Sequence, residues 1–504
     1  MMNHLHYYIN TNFMRQITDI RVRMYKMGTG DCFVLFFEAE NECTFKMMID
    51  CGTCQGTYED MAPVIEKLLG DVSNSIDLLI VTHEHKDHVH GFDVCKELIT
   101  KKLNVKNVWL AWTENEESPL ANKWKKDYGQ KKKALAKAAS RLKQAVATQA
   151  FEDMYKHEMN GEPLMIKKRE MVEKIMEFAD LHMDKGVDYE YKGGLAGMNV
   201  VKEIIGAPNK ISYPEPGSIR GNIRGLDGVK IYIMGPSTSW EQIRKKSVKE
   251  GSHYTRNYMD VAEWRGFSEA LLSDRNSTSP FDESYVVSED DLLSRYQQES
   301  EWRKIDHDWL YGAGELGLRV NTVTNNLSLA IAIEFGEEND RKVLLFPGDT
   351  EYGGWAAWHD LKWDTEEKNG QKHLTEELLN RTVFYKVSHH LSYNGTPRAL
   401  GLEMMNHRDL VTMCTLDYNK IGPGWSRTMP SYDLLSELLI KSRGRLLIMN
   451  DENIFANDEN TMLLKPHIEA TKKKRMTKQE FYEFRNACRE EEFFIEYKVS
   501  AKKK

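Results

Sequence analysis

The 504-residue chain has no long apolar run, and that absence excludes much. Nothing in it approaches the roughly 18 consecutive apolar residues that a membrane-spanning helix requires. Met1 to Arg15 carries His4, His6, Tyr7 and Tyr8 where a secretory signal would have an apolar core, so export is not expected. Cysteine is sparse: seven residues, an odd number, scattered along the chain. That usage excludes a disulfide framework and reads as reduced thiols in a cytoplasmic protein. Cys51 and Cys54 form a lone CxxC, with no second pair spaced to complete a zinc site. A net charge of −8 offers no global case for nucleic acid or for a membrane surface. No internal repeat and no low-complexity linker interrupts the chain.

What is present is ordinary globular material, 41% hydrophobic and 29% charged, with ample length to bury a large core. Strands are expected at Ile17–Met27, Cys32–Phe37 and Phe45–Ile49, then a helix at Met61–Leu69 and a buried strand at Ile76–Val81. A helix at Phe92–Lys101 and a strand at Val105–Ala111 continue the order. Continuous apolar strands alternating with helices indicate an α/β fold with a covered sheet.

The texture changes at 113–221, which reads as a helical, locally basic insertion. Leu135, Ala139, Leu142 and Val146 mark one helix face, and Lys123 to Lys143 holds nine Lys or Arg against the single acid Asp127. That stretch is either a solvated helix or an arm for phosphate contacts with nucleic acid. Strands resume at Val229–Met234, Asn326–Phe335, Lys342–Phe346, Thr382–Val387, Leu410–Thr415 and Leu446–Met449, with a candidate lid at 240–308. The chain thus divides into 17–112, the insertion at 113–221, 222–450, and a charged extension at 451–504 whose end, Thr471 to Lys504, is expected to be helical before a basic tail.

Chemistry concentrates in Thr82-His83-Glu84-His85-Lys86-Asp87-His88, directly after a buried strand. Imidazole and carboxylate suit zinc and similar divalent metals. Three more polar clusters follow strands in the same way: Asp50-Cys51-Gly52, Gly348-Asp349-Thr350 and Ser388-His389-His390. In α/β sheets, sites form outside the carboxyl ends of strands, where four such clusters can converge. Any one of them alone would be an ordinary turn or helix cap.

The arrangement resembles the metallo-β-lactamase fold superfamily, whose HxHxDH signature is met by His83, His85, Asp87 and His88. Met27-Gly28-Thr29-Gly30-Asp31-Cys32, Met48-Ile49-Asp50-Cys51-Gly52, Asn325-Asn326-Leu327-Ser328-Leu329 and Lys386-Val387-Ser388-His389-His390 are similar to the branch typified by the ComEC competence protein's hydrolase domain. The resemblance implies a four-layer αββα sandwich and two divalent ions, zinc with manganese as the alternative. It assigns His83 and His85 to the first ion, Asp87 and His88 to the second, and Asp349 to both. One of His389 and His390 completes the second site; His390 is favoured as the ligand and His389 as a phosphate or transition-state contact. Asp50 becomes a partner that orients ligands, with Asp31 a second candidate for that role. Asp87 would hold the proton of a hydroxide shared by ions about 3.5–4 Å apart.

Two departures stand out. Many relatives supply a further histidine to the first ion, but the equivalent strand here ends Ile233-Met234-Gly235-Pro236-Ser237. His157, His182, His253 and His307 lie in the interval, with His253 the best substitute. Leu391 stands where glycine commonly follows the paired histidines, although Ser392 to Thr396 could still supply donors to an anion. His90 is either a helix-face residue or a site contact. The expected activity is metal-dependent hydrolysis of a phosphoester, with nucleic acid among the substrates. The alternatives are hydrolysis of a small ester, amide or lactone, and a binding module without turnover.

Overall fold

The computed structural model describes residues 16–126, 128–129, 131, 193–205, 210–245, 320–364, 374–417, 420–421, 429–449 and 476–502. The basic stretch beyond Lys131, the helix face at Leu135–Val146, most of the candidate lid, and His157, His182, His253 and His307 lie outside them.

Two mixed sheets carry the chain. The first contains β1 (Asp19–Tyr25), β2 (Phe33–Ala39), β3 (Glu42–Ile49), β4 (Ser75–Val81), β5 (Asn104–Leu110) and the short β6 (Ile211–Ser212). The second contains β7 (Ile219–Arg220), β8 (Lys230–Ile233), β9 (Ile331–Phe335), β10 (Lys342–Phe346), β11 (Thr382–Lys386), β12 (Val411–Cys414) and β13 (Leu446–Ile448). Strands β3 to β6 run parallel in order, as do β10 to β13. Parallel neighbours send their carboxyl ends the same way, which gathers the loops that follow them.

Alternation along each strand divides its side chains between two cores. Phe33, Leu35 and Phe37 of β2 join Ile333, Leu344, Phe384 and Met413 in one cluster contributed by both sheets. Val34 and Phe36 face the other way, with Met61, Ile65 and Leu68 of α1 (Tyr58–Asp71) and Phe92 of α2 (Lys86–Val94). On the second sheet, Val343, Leu345 and Tyr385 pack with Trp355 and Trp358. The helices there are α6 (Tyr352–Trp358), α7 (Leu374–Asn380) and α8 (Tyr432–Lys441), preceded in the chain by α3 (Lys96–Lys102), α4 (Gly193–Asn199) and α5 (Trp240–Ile243). Strands buried on both faces explain the continuous apolar runs.

Apart from element ends, and from the short β6 and β7 that lie inside the stretch expected to be helical and join the sheets, the structure departs from the sequence expectation at three places. The helix expected at Phe92–Lys101 begins six residues earlier, at Lys86, and is two helices, α2 and α3. Its early start puts Asp87 in the first turn, where a carboxylate meets the positive end of the helix dipole. The strand expected from Asn326 begins only at Ile331. Asn326 is drawn away because its Oδ1 accepts from the Glu351 and Gly354 amides (3.0 and 2.9 Å), capping the start of α6 from a distant segment. The last correction concerns Thr471–Lys504. Among the described residues of this stretch only α9 (Lys478–Ala487) is helical; a hairpin of β14 (Cys488–Glu491) and β15 (Phe494–Ser500) follows, and β15 pairs antiparallel with β1. Its apolar pattern is broken by Glu496 and Lys498 and follows the acidic run Glu490 to Glu492. Pairing is secured instead by Arg23, which bridges to Glu496 at 2.6 Å and lies 3.8 Å over the Phe494 ring.

Candidate metal centre

Asp50 follows β3, the histidine loop follows β4, Asp349 follows β10, His389 and His390 follow β11, and Thr415 follows β12. The backbone stitches two of these loops to each other and to the turn after β1. Asp31 N donates to Asp87 O (2.8 Å), Gly52 N to Asp31 O (2.9 Å) and Cys51 N to His88 O (2.8 Å). Gly52 is obligatory for that approach, since a Cβ on it would lie 2.3 Å from His88 N. Leu329 N donates to Thr82 O (2.8 Å), tying the second sheet to the histidine loop.

Asp87, His88, Asp349 and His390 offer ligand atoms that all lie within 4.8 Å of one another, and all four are buried. His88 Nε2 is 3.1 Å from Asp349 Oδ2, and His390 Nε2 is 3.0 Å from Asp87 Oδ2 and 3.3 Å from Asp349 Oδ2. The far side of each ring fixes which nitrogen faces inward. His88 Nδ1 lies 2.7 Å from Asp50 Oδ2, an acceptor, so the neutral ring carries its proton there and turns a lone pair inward. Thr415 donates its hydroxyl proton to Asp31 Oδ1 (2.6 Å) and must therefore accept from His390 Nδ1 (2.8 Å). His390 also presents a lone pair at Nε2. With both rings in this neutral, metal-binding form, four electron-pair donors converge with no donor hydrogen between them.

Three of the converging atoms, Asp87 Oδ1, His88 Nε2 and Asp349 Oδ2, are buried without a hydrogen-bond partner among the described residues. Leaving such atoms unsatisfied is costly, and a cation among them removes the cost. The titration behaviour reflects the same demand. Burial opposes charge on His390, yet Asp349 and Asp87 push it up to about 9. Burial likewise opposes charge on His88, and Asp349, Asp87 and Asp50 raise it well above the usual histidine range. For Asp349, burial favours the neutral form, but His390, His88 and Lys386 hold it well below the usual carboxylate range. These groups could hold a metal ion.

A second trio, Asp31, Asp50 and His88, also lies within ligand distance. Its oxygens are already committed. Asp50 accepts from Thr82 N and Thr82 Oγ1, both at 2.7 Å, besides His88. Asp31 accepts from Thr415 and from Lys386 Nζ, the latter at 2.5 Å. Asp31 and Asp50 therefore orient the ligand rings from behind.

His83 and His85 form a separate pair, with His83 Nε2 3.0 Å from His85 Nδ1. Thr82 has committed its proton to Asp50, so it accepts from His83 Nδ1 at 3.0 Å and leaves a lone pair on Nε2. Burial depresses both histidines, His85 to about 4, which keeps the rings neutral and their lone pairs available. Among the described residues no third ligand joins the pair. His389 stands beside the cluster of four: its Nδ1 is 3.0 Å from Asn394 Oδ1 and 3.8 Å from Glu351 Oε1. His90 is buried in α2.

The turn that places His389 and His390 is strained. His389, His390 and Leu391 all have positive φ, at 49°, 48° and 67°, a region that costs non-glycine residues about 1–2 kcal/mol each. Leu391 holds a conformation glycine would adopt freely, and it is retained by complete burial in the second sheet's outer core.

Sequence reasoning gave no role to Lys386, Thr415, Ser328 or Glu351. Lys386 is buried, with its ammonium bonded to Asp31, Asp349 Oδ1 (3.2 Å) and Gly348 O (3.1 Å). A lone lysine ending the apolar strand Val383-Phe384-Tyr385 was the available signal, since lysine is rarely buried unpaired. Ser328 Oγ accepts from Asp349 N (3.1 Å) and lies 3.3 Å from His83 Nδ1. Thr415 and Glu351 gave no signal. No protein-family model matches the chain, and no curated protein matches it.

Proposed function

We propose that the protein is a metal-dependent hydrolase of the metallo-β-lactamase type, built as a four-layer αββα sandwich, and that it cleaves phosphoesters. The observation that carries this reading is the convergence of Asp87, His88, Asp349 and His390 on a point where three buried atoms lack hydrogen-bond partners. Cores on both outer faces and between the two sheets support the sandwich. Imidazole and carboxylate donors fit zinc, with manganese as the alternative. His83 and His85 would hold one ion and the cluster of four the other. Such ions, when bound, activate water and offset charge on attacking and leaving oxygens.

The chain's own residues supply the rest. Asp50 and the Thr415–Asp31 pair fix the outward nitrogens of His88 and His390, so that both rings keep ligand geometry. Asp87 has one oxygen near His390 and one unpartnered, which suits it to accept a proton from the attacking water. His389, whose Nδ1 donates to Asn394 Oδ1 and whose Nε2 faces Asn325 Nδ2, stands at the edge of the cluster as the candidate phosphate contact. Lys386 neutralises the charge that Asp31 and Asp349 would otherwise accumulate.

The test couples metal analysis to a substrate panel of bis-p-nitrophenyl phosphate, single- and double-stranded DNA, RNA and a lactone. Metal-dependent turnover of a phosphoester, abolished by Asp87→Ala, is expected. Turnover of the lactone alone would sink the phosphoesterase reading, and a purified protein that binds no divalent metal would sink the hydrolase reading.

A further inference from the structure

A cavity of about 340 Å³ lies against the ligand loop, lined there by Thr82, His83 and Glu84. Its volume falls within the roughly 300–1,000 Å³ of small-molecule sites. The remaining walls come from segments outside the loops that build the metal centre: Trp124 and Tyr128 of the helical stretch after β5, Met198 and Asn199 of α4, and Lys202. The two aromatic rings meet edge to face with centroids 3.8 Å apart, and Trp240 packs on Trp124 at 5.1 Å. Trp124, Tyr128, Met198 and Leu327 are each nine-tenths or more buried, so the apolar wall is rigid. Lys202 sits in a six-residue π-helix, Val200–Ile205, a form that is rare and recurs at functional sites.

Charge decides what this cavity suits. Its carboxylates are Glu84, Glu114 and Glu116, against the lysines Lys125 and Lys202. Both lysines are turned on Glu114, Lys202 in a close ion pair and Lys125 at 3.8 Å. A groove for nucleic acid instead presents unopposed cations along its length. Aromatic and apolar walls with an acidic balance suit a compact uncharged group, planar enough to lie against Trp124 and Tyr128.

Resting on the hydrolase reading above, we propose that this cavity takes the aryl or heterocyclic group of a small phosphoester whose phosphoryl group lies at the Asp87–His390 centre. The substrate class is thus a small aryl or nucleoside phosphoester, not a nucleic-acid strand. Trp124, Tyr128 and Met198 determine specificity through the part of the substrate that does not react.

The experiment separates binding from turnover. Adenosine and p-nitrophenol are titrated into full-length Asp87→Ala protein, and into the same protein with Asn199→Trp or Trp124→Ala added. Asn199 is exposed at the cavity wall, so a tryptophan there fills the space without entering the core. Each added substitution is expected to weaken binding of at least one probe tenfold or more. In otherwise wild-type protein, Asn199→Trp should raise KM for bis-p-nitrophenyl phosphate by a similar factor, with kcat within threefold. Affinity unchanged by Asn199→Trp overturns the cavity assignment and leaves the hydrolase reading untouched. Absence of turnover on every ester, with probe binding still lost in Asn199→Trp, overturns the hydrolase reading and keeps the cavity. Single-stranded DNA whose affinity grows with length and exceeds that of mononucleotides overturns the small-substrate class.

Discussion

Lys386 Nζ lies 3.2 Å from Asp349 Oδ1, so one oxygen of Asp349 is held by an ammonium while the other faces His88 and His390. The same ammonium is 2.5 Å from Asp31 Oδ2. Both carboxylates and the lysine are essentially inaccessible to water, which makes this a buried ion triad at the back of the centre. Removing the cation would leave two buried negative charges sharing one space. Lys386→Met is therefore expected to lower unfolding stability by about 3–5 kcal/mol, measured by urea denaturation of metal-free protein. A loss under 1 kcal/mol would show that the triad is not tightly coupled.

The proposed centre has two unequal halves, four candidate ligands against two. One equivalent of zinc is expected to survive gel filtration, and a second to exchange freely. His83→Ala should leave the retained equivalent in place, whereas His390→Ala should remove it. Metal analysis after desalting decides the matter; two equivalents retained equally would refute the asymmetry.

Thr415 controls His390 from behind by accepting at Nδ1 while donating to Asp31. Thr415→Val keeps the shape and removes both bonds. Partners of this kind contribute about 10–100-fold to metal affinity, so a competition assay with a chromophoric chelator should show a loss in that range. Unchanged affinity would mean that packing alone orients the ring.

His390 is pushed up to about 9 in the absence of metal, and His88 is raised as well. Protons held above the unfolded value of about 6.5 stabilise the folded metal-free protein fully below that pH. Their contribution is lost as pH rises through 9. Bound metal must displace them, so its affinity should strengthen from pH 6 to 9, about tenfold per unit for each proton released. Calorimetry in buffers of different ionisation enthalpy counts the protons, and zero release at pH 7 would contradict the direction found for both histidines.

Leu391 has φ 67° and no exposed surface. Leu391→Gly relieves about 1–2 kcal/mol of backbone strain but empties a core position worth about 2–5 kcal/mol. The balance favours leucine, and a net destabilisation of about 1–3 kcal/mol is expected from thermal or urea unfolding. A stabilised variant would show that the turn's strain outweighs its packing.

The α/β class, most strands and the order of the polar clusters are legible in the sequence, because strands buried on two faces must be continuously apolar and ligand loops must be polar. Phe45–Ile49, Ile76–Val81 and Lys342–Phe346 announce themselves in this way, as do the histidines at 83, 85 and 88. Local pattern alone also marks Asp349 and His389-His390 as candidates. What it leaves open is set by contacts between distant residues. Strand β15 was hidden by its charges, since Glu496 is an outward-looking acid in sequence and a buried partner of Arg23 in the fold. His390, rather than His389, joins the cluster because three consecutive left-handed residues turn the chain there, and no sequence pattern encodes that turn in non-glycine residues. Lys386 and Thr415 stand at the ends of neighbouring strands of the second sheet, and Asp31 joins them from the turn after β1, so only the meeting of the two sheets brings the three together behind the ligands. Residue types along the chain set which donors are on offer; the packing of the two sheets sets which of them share a point, because ligation depends on distances of a few ångströms between residues separated by hundreds of positions.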